Sequence, residues 1–316
     1  MEEVVGNLSE QTARKVLDII APGSVLISIT VPDASYSNYT HILTVQRKDG
    51  TPYQVVVHRY KIFGDYDRGE KARREHKTFE LLNQHRIPAP EALYLDEKGD
   101  VLETPGIVTS FAKGSHMTDT PPDPLDWARK LARTLVQIHS ISCGAEEQKF
   151  LLKGNAEASW VVKFDAPPHY MQEYPGGANV WQMMRDLYPK LQADLPVLLH
   201  IDYWPGNVLW HENEISAVID WEEAAYGDPA VDLAYARMRM VLMGLPEAAD
   251  EFLRVYESEM GRASKNLGFW ELAASVRPMI DPVHWNVAGT SELNANIFLK
   301  FIEEAKKRSR FELARA

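Results

Sequence analysis

The chain has 316 residues, 45% hydrophobic and 25% charged, which at ~150 residues per domain suggests two domains or one elaborated domain of ordinary globular composition. Its 34 Lys+Arg against 45 Asp+Glu leave a formal charge of -11, which argues against non-specific binding to nucleic acid or to an anionic membrane. The one cysteine, Cys143, excludes an intramolecular disulfide and a cysteine metal cluster. No apolar run reaches the ~18 residues of a membrane span, and Met1-Glu2-Glu3 begins neither a basic nor an apolar leader, so a cytoplasmic location is expected.

In chain order, a short helix is predicted over 9–20, closed by Pro22-Gly23. Strands are predicted over 25–30, 39–46 and 53–60, with the Asp49-Gly50 turn between the last two. A helix over 68–83 is stopped by Pro88 and Pro90. Two short strands, 91–96 and 107–111, follow. Beyond Gly114 the pattern turns helical. The clearest segment is 124–139, with Leu125, Ala128, Leu131, Leu135 and Ile138 on one stripe. Further helices are predicted over 178–191, 229–243, 247–260, 266–277 and 291–307, interrupted by strands at 197–199, 208–211 and 215–219. The fold class is therefore α+β. A β-rich lobe over 1–112 joins a larger helical lobe over 113–316 through a linker at about 107–116.

The densest chemical signal is His200-Ile201-Asp202-Tyr203-Trp204-Pro205-Gly206-Asn207. Pro205-Gly206 forbids helix, which leaves Asp202 and Asn207 in a loop. Downstream, Ile219-Asp220-Trp221-Glu222 ends an apolar strand in a carboxylate. If the two strands pair through a turn at 212–214, Asn207 and Asp220 fall at one end of a hairpin. Their amide oxygen and carboxylate are hard ligands suited to Mg²⁺, and Asp202 is then free to accept a proton from a hydroxyl.

This combination, with Gly227-Asp228-Pro229 after it, resembles the catalytic core of the aminoglycoside phosphotransferase and choline kinase-type family, small-molecule relatives of the protein kinases. The resemblance runs over roughly residues 25–240 and implies a protein kinase-like fold. It also implies transfer of the γ-phosphate of ATP or GTP to a hydroxyl, with Asp202 as base and Asn207 and Asp220 on Mg²⁺. His200 reads as an orienting residue, Asp228 as a helix cap and His139 as a satisfied core histidine, while Asp232 either holds the catalytic loop or touches substrate, with the holding role favoured.

No Walker A and no Gly-x-Gly-x₂-Gly pattern is present. In the family a hairpin turn covers the phosphates. Here that turn is 33–39, where Ser35 and Ser37 are candidate phosphate contacts, although a surface turn explains the segment almost as well. On the helix 68–83, Glu75 shares a face with Ala72, Phe79 and Leu82, and a carboxylate in an apolar stripe demands a cation. Arg59 on the preceding strand is the expected partner; a one-residue difference of register would put His58 there instead. The resemblance further places the purine edge on the backbone of Ser110 and Ala112.

The acceptor is expected against the helical lobe, framed by Tyr203, Trp204, Glu222, Glu223 and the irregular stretch around Asp281. Glu222 and Glu223 are equally candidates to contact a cationic acceptor or the metal, and the acidic groups of this lobe are expected to set the acceptor's selection. An aminoglycoside-type antibiotic is one class, a choline-like, amino-alcohol or sugar metabolite another. A catalytically inert nucleotide-binding relative is opposed by the complete Asp202/Asn207/Asp220 set. A hydrolase is opposed by the lack of a nucleophile motif. Nothing in the sequence fixes the oligomeric state.

Overall fold

Ser9 opens the first helix, α1 (Glu10–Ile20), with its side-chain oxygen accepting the Thr12 N–H at 3.0 Å. The computed structural model describes residues 6–32, 38–62, 66–117, 121–287 and 292–315. The chain divides into two units, the first made of Met1–Ser115 and Leu209–Glu223, the second of His116–Val208 and Ala224–Ala316. Residues 209–223 thus group with the β-rich unit, although their chain position lies far inside the segment expected to be helical.

In the first unit β1 (Val25–Thr30), β2 (Tyr39–Gln46), β3 (Pro52–Arg59), β4 (Ala92–Asp96) and β5 (Gly106–Ser110) form one antiparallel sheet, ordered β1-β2-β3-β5-β4. The alternation of β2 and β3 sends Leu43, Val45, Val55 and Val57 into a core with Ala13, Val16 and Leu17 of α1, all at most 3% exposed. α2 (Arg68–Gln84) begins at Asp67, whose carboxylate accepts the Gly69 and Glu70 N–H groups, and it buries Ala72, Glu75, Phe79 and Leu82 as its spacing requires. The two-residue strand β6 (Ser115–His116) follows. β9 (Val208–His211) and β10 (Glu214–Val218) are neighbours joined by Glu212 and Asn213 alone, at φ 52° and 64°. Two consecutive left-handed residues are the turn that matches the twist of a two-residue hairpin.

The second unit is built from α3 (Pro124–His139), α4 (Gly154–Ala158), α5 (His169–Glu173), α6 (Gly177–Leu187), α7 (Ala230–Leu242), α8 (Pro246–Met260), α9 (Leu267–Ile280) and α10 (Glu292–Arg315). A small sheet orders β7 (Leu152–Lys153), β11 (Ala225–Gly227) and β8 (Val197–Leu199) as β7-β11-β8. On α3, Ala128, Leu131, Leu135 and Ile138 are completely buried, whereas Leu125, in the first turn, is 39% exposed and leaves the stripe. α9 runs past Pro278 to Ile280, because a proline near a helix end removes only one backbone bond. No described helix is long and apolar enough to cross a membrane.

Candidate functional site

Asp232, one turn into α7 and wholly buried, organises the loop that carries Asp202. Its Oδ2 accepts the His200 N–H at 2.8 Å and its Oδ1 the Ile201 N–H at 2.8 Å, while His139 Nε2 lies 3.2 Å from Oδ2. Ile201 sits at φ 70°, a conformation that costs a β-branched residue about 1–3 kcal/mol, so the two bonds to Asp232 hold the backbone in a shape it would not choose. Gly206 is equally determined: a Cβ there would collide with the Trp204 ring. Its carbonyl faces His116 Nδ1 at 2.6 Å. Asp228 caps α7 as expected, accepting the Ala230 N–H at 2.9 Å, and His139 is satisfied by Tyr256 and Asp232.

Asn207 donates Nδ2 to both the main-chain oxygen and Oδ2 of Asp202, at 3.0 and 2.8 Å, which leaves its carbonyl oxygen as the end available to a cation. The Asp202 carboxylate, 25% exposed, also lies 2.9 Å from Arg277 Nη1 and accepts the Tyr235 hydroxyl. Burial alone would lift this carboxyl. Arg277, the Tyr235 hydroxyl and the fields of His200 and Arg239 outweigh burial and hold it below the usual carboxylate range. The site therefore presents an ionised carboxylate, oriented by one amide, one phenol and one guanidinium.

In the first unit the acid of α2 finds different partners from those expected. Tyr60 donates its hydroxyl to Glu75 Oε2, His58 Nδ1 lies 3.6 Å from the same oxygen, and the Trp221 N–H reaches Oε1 at 3.0 Å. His58 and Tyr60 are two residues apart and point to one face; Arg59, between them, points to the other. There it is completely buried, with its guanidinium carbon 5.8 Å from the Tyr39 ring centroid and Glu103 as its main acidic influence. The Arg59–Glu75 pairing is thus corrected to His58–Glu75, the register alternative. Through Trp221, Glu75 also fixes the backbone beside Asp220, which has φ 66° just beyond β10.

The residues expected around the acceptor take the following places. Tyr203 is fully buried and donates its hydroxyl to the Leu131 carbonyl, so it supports the loop from below. Glu222 is engaged within the first unit, accepting Asn38 Nδ2 at 2.8 Å and Lys71 Nζ at 3.1 Å while its carbonyl takes Arg74 Nη1. Asp281 is exposed and caps its own turn through the His284 N–H. Glu223 is half-buried. Ser110 ends β5 and exchanges bonds with Glu91, Ala112 follows it, and Ser35 and Ser37 lie outside the described residues. Sequence reasoning missed Arg239, Arg277 and Tyr235. The signal for two of them was present, since Asp232, Tyr235 and Arg239 follow one another at the three- and four-residue steps of a single helix face.

No described group of three His, Cys, Asp or Glu could hold a metal ion. Asn207 in the second unit and Asp220 in the first each carry a hard oxygen of the type that Mg²⁺ accepts. A separate cavity of about 550 Å³, lined by Lys153, Asn155, Gln192, Asp194, Tyr226 and Asp228 among others, contains none of the loop residues.

The profile of the phosphotransferase enzyme family (APH) matches residues 34–265. Acyl-CoA dehydrogenase family member 10 of Mus musculus is 24% identical over 218 residues, 60% of this chain but 20% of that protein, so the chain spans about a fifth of the curated relatives it matches. Among solved structures, macrolide 2'-phosphotransferase type I superposes with TM-score 0.60 at 19% identity, covering 96% of this chain and 98% of that one. An ethanolamine kinase of Plasmodium vivax superposes with TM-score 0.60 at 14% identity, covering 92% and 85%. These likenesses establish a protein kinase-like fold.

Proposed function

The chain belongs to the phosphotransferase enzyme family, and from that premise we propose that it moves the γ-phosphate of ATP to a hydroxyl of a small molecule, with Asp202 as the base. The observation that carries this reading is the Asp202 carboxylate itself, kept ionised and aimed by Asn207, Tyr235 and Arg277 on a loop held by Asp232. An ionised acid in that setting orients an incoming hydroxyl and takes its proton as the oxygen bonds to phosphorus and the bond to ADP breaks. Catalysis then rests mostly on position and charge. His58, positioned by Glu75, takes the place that a lysine holds in protein kinases, and the backbone of Ser110 and Ala112 takes the purine edge. Asn207 and Asp220 would hold Mg²⁺, which supplies neutralisation of the phosphate charge.

The test is a nucleotide titration followed by a panel of hydroxyl compounds with ATP consumption as readout. MgATP is expected to raise the melting temperature more than ATP alone, and Asp220→Ala to remove that difference. Equal affinity with and without Mg²⁺ in the wild-type protein would defeat the metal assignment. Absence of nucleotide binding in either condition would defeat the kinase reading.

A further inference from the structure

Resting on that reading, and going beyond it to the substrate class, we propose that the acceptor carries an anionic group, a carboxylate or a phosphate, bound by Arg239 in the second unit. Arg239 lies on α7, four residues after the tyrosine that hydrogen-bonds Asp202. Its guanidinium carbon is 3.5 Å from the centroid of the Trp204 ring and 4.6 Å from that of Trp285. Trp204 belongs to the catalytic loop itself. Two indoles hold the guanidinium flat, and stacking of this kind leaves the N–H edge of the fork for a planar or tetrahedral anion.

The remaining partners of Arg239 sharpen the case. Among the described residues its guanidinium makes no hydrogen bond and no ion pair; Asp202 and Tyr235 act on it only through their fields. Arg237, two residues earlier on the same helix, shows what a structural arginine looks like here. Its Nε reaches Glu271 at 2.9 Å, and its Nη1 reaches the Ala249 carbonyl and Asp250 at 3.2 Å. A half-buried guanidinium without an acid is costly unless a ligand supplies one. Two guanidiniums, Arg277 and Arg239, act on Asp202, and Arg277 is the one that pairs with it, at 2.9 Å. The fork of Arg239 suits a hydroxy acid or a hydroxylated phosphate ester. The acids once expected to draw a cation, Glu222 and Asp281, are occupied by Lys71 and by their own turn.

The same arginine chemistry would also suit the phosphoryl group in transfer, and the experiment separates the two. ATP consumption is measured with glycerate and 3-hydroxybutyrate, with glycerol 3-phosphate, and with choline, ethanolamine and kanamycin. The carboxylates and the phosphate ester in separate arms show which anion is preferred. The expected result is a kcat/KM at least about 100-fold higher for an anionic than for any cationic acceptor. Arg239→Gln should then raise the acceptor KM about tenfold or more and leave the KM for ATP within about twofold, with Arg239→Lys recovering only part of the loss. Preferred turnover of a cationic acceptor would overturn the proposal. So would a rise in the KM for ATP instead of the acceptor, which would give Arg239 to the transferred phosphate. Turnover of none of the six compounds, with MgATP still bound, would overturn the substrate class and leave the nucleotide reading standing. Loss of MgATP binding from the wild-type protein would instead remove the kinase reading beneath it.

Discussion

Glu75 in the first unit and Asp202 in the second are both acids withdrawn from bulk water, yet their surroundings differ in kind. Glu75 is 1% exposed and meets a phenol, an imidazole and a backbone amide. Asp202 is a quarter exposed and meets an amide, a phenol and a guanidinium, with a second guanidinium in its field. The first arrangement uses up both carboxylate oxygens and fixes a backbone, so it suits a positioning residue. The second keeps the acid ionised and accessible at once, which suits a group that must meet a substrate. At Asp202 the charged partner Arg277 and the Tyr235 hydroxyl together offset the tendency of burial to protonate the carboxylate.

The largest expected effect breaks the second arrangement. Asp202→Asn keeps the shape of the side chain and removes the base, so kcat should fall about 10²–10⁴-fold while MgATP binding is unchanged. Turnover within about tenfold of wild type would take the base role from Asp202. Next comes its support. Asp232→Ala leaves the His200 and Ile201 N–H groups and His139 without their acceptor, at about 1–3 kcal/mol for each buried group. Chemical denaturation should show a loss of about 3 kcal/mol or more, accompanied by reduced kcat although no reacting atom is touched. An unchanged midpoint would mean that Ile201 holds its left-handed backbone without help.

A smaller effect is expected in the first unit. Glu75→Ala frees the Trp221 N–H beside Asp220 and should speed its hydrogen exchange, at a stability cost of about 2 kcal/mol. Protection of that amide at the wild-type level would show that Glu75 is not what fixes the strand end. The smallest concerns an acid with weak support. Burial pushes the Glu312 carboxyl up to about 7, against the pull of the Gly268 N–H and Arg308. Because the native state then binds the extra proton, stability should fall as pH rises from the ordinary carboxylate range through about 7. Glu312→Gln should flatten that part of the pH–stability curve, and an identical slope in the variant would refute the assignment.

Much of this frame was legible in the residues. The strands predicted over 25–30 and 39–46 coincide with β1 and β2, the apolar stripe placed α3 over 124–139, and the combination of Asp202, Asn207 and Asp220 pointed to the family. What escaped has physical reasons. The direction of Arg59 turned on one residue of register, since neighbours on a strand face opposite ways. The left-handed conformation of Ile201 has no sequence signal, because a β-branched residue ordinarily avoids it. β6, β7 and β11 have two or three residues each, too few for any period to appear. Arg239 and Arg277 lie on helices 37 and 75 residues beyond Asp202 in the chain, and only the fold of the second unit reveals that both act on it.

The central claim is that the γ-phosphate moves to a hydroxyl under the control of Asp202. The most direct measurement follows a γ-labelled ATP with MgCl₂ and the best acceptor of the panel, identifying the labelled product by mass. The account predicts a phosphomonoester of the acceptor, formed in equal amount to ADP and lost in Asp202→Asn. Label released as inorganic phosphate at the same rate with and without acceptor would contradict it.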